Sequence, residues 1–268
     1  MTQAERDLVT LCAGPPAERP AAWARWVAAL RPPAGDAAPY PAHWRDLLPL
    51  AAFRQRELAL SGPDWLLSRL RTAALLEERR VVAVEDTAAE ILANPLIAAH
   101  DPLMLGGLGL GQSVYPVPAT RHTGILTLLL RPGTRLRPLM YALVAEGYVT
   151  RDGGWRTLHL PARRHARLGL RHPSAMKLLL LSAPAWRRGD PLGHAALQSR
   201  ATPLTAGNAR FRAPALADAL ALSTLRLTGE GQQSLVPLVD TALLRAAQSP
   251  SEVTRPADEP ALAGRKAP

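Results

Sequence analysis

The chain has 268 residues, of which 47% are hydrophobic, enough to bury a substantial core in one large domain or two small ones. That composition excludes a disordered protein. The formal net charge is +10, and nearly all positive charge is arginine because Lys177 and Lys266 are the only lysines. The arginine excess is compatible with nucleic acid or an acidic partner, and equally with a GC-rich coding sequence that favours arginine and alanine.

Three features indicate the compartment. Cys12 is the only cysteine, so an intrachain disulfide and a cysteine-based metal site are excluded, and a reducing compartment fits. The first seven residues lack the basic and apolar regions of a signal peptide. The uncharged run 102–120 contains four glycines and two interior prolines after Pro102, which make it a poor membrane helix. We therefore predict a cytoplasmic protein that does not cross a membrane.

Residues from Gln3 to about Leu76 predict helices separated by proline turns. Trp23 and Trp26 lie on one helical face with Val27 and Leu30, and Arg31-Pro32-Pro33 ends that helix. A second helix is indicated by the spacing of Trp44, Leu47, Leu48, Ala51 and Ala52. Tryptophans at helical spacing are typical of a core, although such rings also stack on bases.

The chain between residues 63 and 95 predicts two further helices. One runs from Pro63 to Arg80, with Pro63 and Asp64 suited to its first turn. Glu85-Asp86-Thr87 then indicates the start of a separate short helix, which Asn94-Pro95 ends.

Past Pro102 the pattern becomes strand-like. A short apolar strand ends at Gly106-Gly107, a glycine-rich turn leads into a short helix, and Tyr115-Pro116 turns the chain into a second strand, Ile125–Leu130. A helix follows over 136–147 with Gly147 as its C-terminal cap, and a third strand is predicted near 155–160 after a turn at Gly153-Gly154. The predicted order is strand, helix, strand, helix, strand.

The remainder is predicted to contain loops and helices. The clearest helices are Ala215 to Leu227 and Leu235 to Ala247. From Ser249 to Pro268 prolines recur without apolar periodicity, so we predict a disordered tail.

The segment from Leu103 to Leu130 resembles a bacterial family of uncharacterised nucleotidyltransferases in the DNA polymerase β superfamily. The residues that carry the resemblance are Leu105-Gly106-Gly107, Tyr115-Pro116-Val117-Pro118, Arg121 and Gly124-Ile125-Leu126-Thr127. His43–Leu48 and Val236–Leu244 resemble family helices that precede and follow the catalytic domain.

That resemblance implies an α+β fold, in which a small nucleotidyltransferase-like mixed sheet is flanked by helical N- and C-terminal regions. We divide the chain into a helical region 1–80, a nucleotidyltransferase-like core 81–160, a basic segment with C-terminal helices 161–248, and the tail 249–268.

Nucleotidyl transfer needs divalent metal ions, which carboxylates at alternate positions of one strand and on a neighbouring strand bind. The family has two strand aspartates where this chain has Ile125 and Thr127, and a third carboxylate where it has Thr157. Asp101, Glu146 and Asp152 form no alternating pair that would replace them. The resemblance therefore implies that no catalytic residue, metal ligand or cofactor is retained.

A glycine pair before a helix lets backbone amides approach a phosphate. Gly106 and Gly107, with Arg121, are accordingly the predicted nucleotide-binding residues, although Gly106 stands where the family has a lysine. Without the resemblance, the same glycines indicate a flexible turn before a weak helix.

The segment from Arg151 to Arg188 has Asp152 as its only acidic residue. Such a segment can neutralise several phosphates, and it can equally be a solvated loop. We predict six nucleic-acid-binding residues there: Arg156, Arg163, Arg164, Arg167, Arg171 and Lys177. His159 is interpreted as a hydrogen-bonded structural residue rather than a ligand.

The leading hypothesis is a catalytically inactive relative that binds nucleic acid or a nucleotide through arginines. The first alternative is an interaction subunit that docks a protein partner through apolar, tryptophan-rich helices. The second is an active nucleotidyltransferase with an unconventional metal site. Fold alone does not choose among them, and no oligomeric state follows from the sequence.

Overall fold

A computed structural model describes residues 1–32, 40–150, 167–182, 192–229 and 234–249. Within these residues the fold is α+β, as predicted, with a seven-stranded mixed sheet in the order β3-β4-β5-β2-β1-β7-β6. The strands are β1 Leu103–Leu105, β2 Ile125–Leu129, β3 Val149–Thr150, β4 Arg167–Arg171, β5 Lys177–Leu181, β6 Thr202–Ala206 and β7 Ala209–Ala213.

Helices precede, interrupt and follow the sheet. They are α1 Gln3–Ala13, α2 Arg19–Ala29, α3 Leu48–Glu57, α4 Asp64–Ala93, α5 Pro95–Ala98, α6 Gly107–Ser113, α7 Leu136–Ala145, α8 His194–Arg200, α9 Leu216–Gly229 and α10 Val236–Gln248. Short 3-10 helices lie at Pro16–Glu18, Ala42–Leu47 and Pro118–Thr120. The pairs β2–β5 and β1–β7 are parallel and the other strand pairs are antiparallel.

The N-terminal helices form a core of their own with α10. Trp26 is fully buried, and Trp23 and Trp44 are almost so; the ring centroids of Trp26 and Trp44 lie 6.2 Å apart. The indole of Trp23 donates a hydrogen bond to the Ser61 carbonyl at 2.8 Å. The predicted burial of this tryptophan stripe is therefore confirmed, with Trp44 in a 3-10 turn that leads into α3.

The sheet has two differently covered faces. Met104, Leu126 and Leu178 point to the face that packs against Val84, Ala88 and Ile91 of α4 and against α7. Leu103 and Leu129 point to the opposite face, where Leu197 and Ala201 at α8 cover them. Because successive strand residues alternate between faces, Ile125 and Thr127 lie on the same side as Leu129.

One predicted break between helices is wrong. The chain does not stop at Arg80 and restart at Glu85, since α4 runs without interruption from Asp64 to Ala93. Neither glycine nor proline occurs between these ends, and the buried side chains of the second half hold it against the sheet. The acidic residues interpreted as a helix start therefore lie within a helix, while the predicted end at Asn94-Pro95 is confirmed.

The segment after Pro161 contains four strands that the sequence interpretation missed. In β7 the alternation is regular, with Ala209, Phe211 and Ala213 buried and the two arginines between them exposed. A glycine turn at Gly207, whose φ is +54°, connects β6 to β7, so a hairpin signal was present. In β5 four consecutive leucines follow Lys177, so the sequence shows no alternation of apolar and polar residues that would predict a strand.

Other predictions about the elements have mixed outcomes. The glycine cap of α7 is confirmed, since Gly147 has a φ of +93° and its N–H donates to the Val144 carbonyl. The predicted strand at 155–160 and the tail from residue 250 lie outside the described residues. The domain boundaries stay a prediction: α4 runs through position 80, and strands from both sides of position 160 join one sheet.

Candidate nucleotide and nucleic-acid site

The glycine turn between β1 and α6 has a conformation that requires glycine at its first position. Gly106 has a φ of +77° and a ψ of −140°, which residues with a Cβ rarely adopt. Gly107 is required for a different reason, because a Cβ there would lie 2.8 Å from the Thr123 hydroxyl and 3.4 Å from Nη1 of Arg121. Both glycines therefore have a structural explanation, and their predicted role in nucleotide binding stays a prediction.

Arg121 is held in a buried ion pair. Its Nε donates to Oδ1 of Asp240 at 2.8 Å, and its Nη2 donates to Oδ2 at 2.8 Å. Nη1 donates to the His122 carbonyl. The Tyr115 hydroxyl also donates to Oδ1 of Asp240, at 2.7 Å. This geometry fixes the Tyr115–Pro118 turn to α10, and the predicted contact between Arg121 and a nucleotide stays a prediction.

The pKa values of these groups are shifted in the directions that stabilise the pair. Burial alone would lower the pKa of Arg121, but the charge of Asp240, the Tyr115 phenol and the hydrogen bond to Asp240 together outweigh burial, so that the net pKa is raised. Burial raises the pKa of Tyr115, and Asp240 raises it further. Tyr115 therefore remains a neutral donor and Arg121 a permanent cation at any physiological pH.

The two β2 positions that the resemblance predicts to correspond to metal-binding carboxylates lie on one face. Thr127 is paired with Leu105 of β1 and with Leu179 of β5, and Ile125 is paired with Lys177 of β5. Ile125 is half-buried and Thr127 is buried. At this point the neighbouring strand β5 therefore presents a lysine and a leucine, neither of which supplies a carboxylate. Thr157 and His159 lie outside the described residues.

Two of the six predicted nucleic-acid-binding residues face each other. Arg171 and Lys177 are direct partners across β4 and β5, and both are exposed. The backbone of Arg167 begins β4 and pairs with Leu181 at the other end of the same two strands. Arg156, Arg163 and Arg164 lie outside the described residues.

The sequence prediction did not include two further exposed arginines, which lie on β7. Arg210 and Arg212 alternate with buried residues, and Arg212 pairs with Leu103, so both lie on the Ile125 face at the other end of the sheet. Nη2 of Arg212 donates to the Gln198 carbonyl at 2.7 Å. The alternation of apolar residues and arginines in Ala-Arg-Phe-Arg-Ala is the sequence signal that would have predicted a strand with both arginines on its exposed face.

Several other carboxylates and histidines have structural partners. Asp101 accepts a hydrogen bond from Gln198 at 2.8 Å, and Glu146 accepts one from Asn94. His122 lies 2.8 Å from Glu77 through Nδ1. In the described part of the chain, no group of three or more His, Cys, Asp or Glu side chains has a geometry that could hold a metal ion. Asp152 lies outside it.

A short β1–helix–β2 unit within a mixed sheet, flanked by helices, defines a nucleotidyltransferase-like α+β protein. A family described as uncharacterised nucleotidyltransferase matches residues 40–255, and the chain belongs to that family. Neither the curated proteins nor the solved structures yielded a match. Among the described residues, no helix is long and apolar enough to span a bilayer.

Proposed function

We propose that this nucleotidyltransferase-like protein acts by binding nucleic acid or a nucleotide and does not catalyse metal-dependent nucleotidyl transfer. The observation that supports this most directly is the register Ile125–Lys177 and Thr127–Leu179. An isoleucine offers a metal no ligand, a threonine hydroxyl carries no negative charge, and an adjacent ammonium repels a divalent cation.

The distribution of charge supports binding to a polyanion. The chain has an excess of ten positive charges, and the exposed ends of one sheet face carry Arg171, Lys177 and Arg210. Contacts of this kind neutralise phosphates without reading bases, so we expect affinity that is sensitive to salt and tolerant of sequence.

An electrophoretic mobility shift with single- and double-stranded DNA and RNA at several salt concentrations tests the binding function. We expect a shift at low salt that disappears as the salt concentration rises. Replacing Arg163 and Arg164 by Gln should reduce the slope of log affinity against log salt by about 1 for each phosphate that is no longer neutralised. The matched control replaces Arg79 and Arg80, two exposed arginines on α4. No shift at low salt, or equal slopes in both double variants, contradicts binding to nucleic acid.

Catalysis is tested separately with labelled nucleotides in the presence of Mg²⁺ or Mn²⁺. We expect no incorporation into nucleic acid or protein acceptors. Turnover that requires the metal ion would favour the unconventional-site alternative instead.

The interaction-subunit alternative needs docking residues other than the tryptophans. Trp23, Trp26 and Trp44 are buried in the protein's own core, so they are not available to a partner. Leu75 and Leu76 of α4 are more than half exposed, at 60% and 63%, and are the apolar residues that favour this alternative. A stoichiometric protein partner from the native host, bound without nucleic acid and no longer bound by the Leu76→Glu variant, would support it against nucleic-acid binding.

A further inference from the structure

The direct pairing of two cations across β4 and β5 needs a physical explanation. Directly opposed residues of an antiparallel pair have Cβ atoms about 4.5–5.5 Å apart, and like charges placed there destabilise the sheet. Arg171 and Lys177 are such partners. Among the described residues, no carboxylate forms an ion pair with either side chain, so nothing there offsets the repulsion.

The described neighbours of this pair on β2 and β5 are uncharged. On the same face Lys177 lies beside Ile125, and the next positions along the two central strands are Thr127 and Leu179. A cation pair next to uncharged side chains produces a local positive potential that attracts an anion. An anion between the two side chains would convert their repulsion into two attractive interactions.

The residue types also suit a phosphate. Arginine presents a planar fork of donors, and lysine presents a compact charge that binds phosphate oxygens from any direction. Lys177 is the only lysine before Lys266 in a chain whose other basic residues are arginines. A lysine here therefore departs from the composition of the whole chain.

The turn that connects the two residues is anchored. Nδ1 of His172 accepts hydrogen bonds from Oγ and N–H of Ser174, at 2.9 and 3.2 Å. Ser174 Oγ lies 3.1 Å from the Thr87 hydroxyl of α4, and the ring of His172 packs edge-on against Tyr148 at 5.1 Å. These contacts fix the strand ends that carry Arg171 and Lys177, which reduces the ordering cost of binding a ligand.

We propose that Arg171 and Lys177 form a site for a phosphate group that binds without a divalent metal ion. The ligand is either the phosphate chain of a nucleotide or the 5′-phosphate end of a nucleic acid, both of which present the same dianionic oxygens. This inference rests on the proposed binding function and specifies the residues that bind the phosphate.

The test uses the full chain and inorganic tripolyphosphate as the probe, with a chelator present. Reductive methylation with a ¹³C reagent keeps the lysine charge and labels Lys177, Lys266 and the amino terminus for NMR. The Lys177 signal, assigned by its loss in Lys177→Arg, should move on titration while the Lys266 signal stays. Movement only after Mg²⁺ is added, or equal movement of both lysine signals, would overturn the inference.

Variants at the site provide the second measurement. We expect Lys177→Gln and Arg171→Gln each to weaken tripolyphosphate binding about tenfold, the usual effect of losing one charge-assisted hydrogen bond. Lys177→Arg should retain binding, and Arg80→Gln, an exposed arginine on α4, should leave it unchanged. Unchanged binding in both site variants would overturn the inference.

Competition identifies the source of the phosphate. Displacement of tripolyphosphate by a nucleoside triphosphate supports a nucleotide as the ligand, and displacement by a 5′-phosphorylated oligonucleotide but not its 5′-hydroxyl counterpart supports a nucleic-acid end.

The binding measurements also distinguish failure of the phosphate site from failure of the proposed function. A mobility shift without tripolyphosphate binding overturns the phosphate site alone, whereas tripolyphosphate binding without nucleotide or nucleic-acid binding overturns the proposed function together with the ligand assigned to this site.

Discussion

Arg121, in the turn before β2, and Asp240, in α10, form a bidentate ion pair although they lie 119 residues apart in the sequence. The side chains are only 11% and 6% exposed. The pair connects the glycine-turn unit to the C-terminal helix, so it contributes to the stability of the whole fold.

The first prediction concerns this pair. Asp240→Asn should lower the free energy of unfolding by about 3–5 kcal/mol, because it leaves a buried guanidinium without its counter-charge. Urea unfolding followed by circular dichroism measures the change. Arg80→Gln, which removes an exposed arginine on α4, should shift stability by no more than about 0.5 kcal/mol. Equal losses of unfolding free energy in the two variants would contradict a buried, stabilising ion pair between Arg121 and Asp240.

The second prediction concerns packing at the glycine turn. Gly107→Ala should lower stability by about 1–3 kcal/mol because the new Cβ would overpack the site, lying 2.8 Å from the Thr123 hydroxyl. Adding Thr123→Ala should recover part of that loss. Thermal unfolding of the two single variants and the double variant measures the coupling, and strict additivity would show that the Thr123 contact is not the cause.

Cys12 provides the third prediction. Burial raises the pKa of the Cys12 thiol from 9.0 to about 12, so the folded state retains a proton that the unfolded state loses above pH 9. The stabilisation is complete below pH 9 and is lost as the pH rises towards 12. Cys12→Ala should therefore flatten the alkaline decline of stability, and it should also lower stability at neutral pH because it leaves a cavity in the core.

The measurement for Cys12 is the urea midpoint as a function of pH, with a thiol reagent as a second readout. The native thiol should react only as fast as the protein unfolds. Part of the alkaline decline should persist in Cys12→Ala, since burial and nearby Glu146 raise the pKa of Tyr148 from 10.0 to about 12. Rapid labelling of the native protein would rule out this description of the thiol.

The fourth prediction concerns the stability of the protein at acidic pH. Burial lowers the pKa of His172 from 6.5, and Glu90 partly opposes this shift. Below pH 6.5 the unfolded histidine therefore binds a proton more readily than the folded one, and stability falls as the pH decreases. His172→Gln should reduce this acid sensitivity, and Glu90→Gln should increase it slightly. Unfolding midpoints between neutral and acidic pH test both signs; opposite signs would refute the assignment.

Local signals in the sequence predicted many of the elements. The spacing of Trp23 and Trp26 predicted a buried helical face, and glycine at 147 predicted the end of α7. The first two core strands were placed within one or two residues of their observed ends. These predictions succeeded because helical periodicity, caps and short apolar runs depend on neighbours within a few positions.

The same local rules failed where a signal was ambiguous. Glu85-Asp86-Thr87 resembles a helix start, yet packing of Val84 and Ala88 against the sheet keeps α4 continuous. The four leucines of β5 show no alternation, so only pairing with β2 and β4 identifies them as a strand. In both cases the burial supplied by distant residues outweighs local preference.

The sequence by itself determined the family resemblance, the prediction that Ile125 and Thr127 replace strand carboxylates, and the arginine excess, because each is a matter of which residue occupies which position. Only the tertiary structure decided that Arg121 binds Asp240 and that Lys177 lies between Ile125 and Arg171. Strand register and long-range ion pairs depend on which surfaces come together when the chain buries its apolar side chains, and no local pattern encodes that choice.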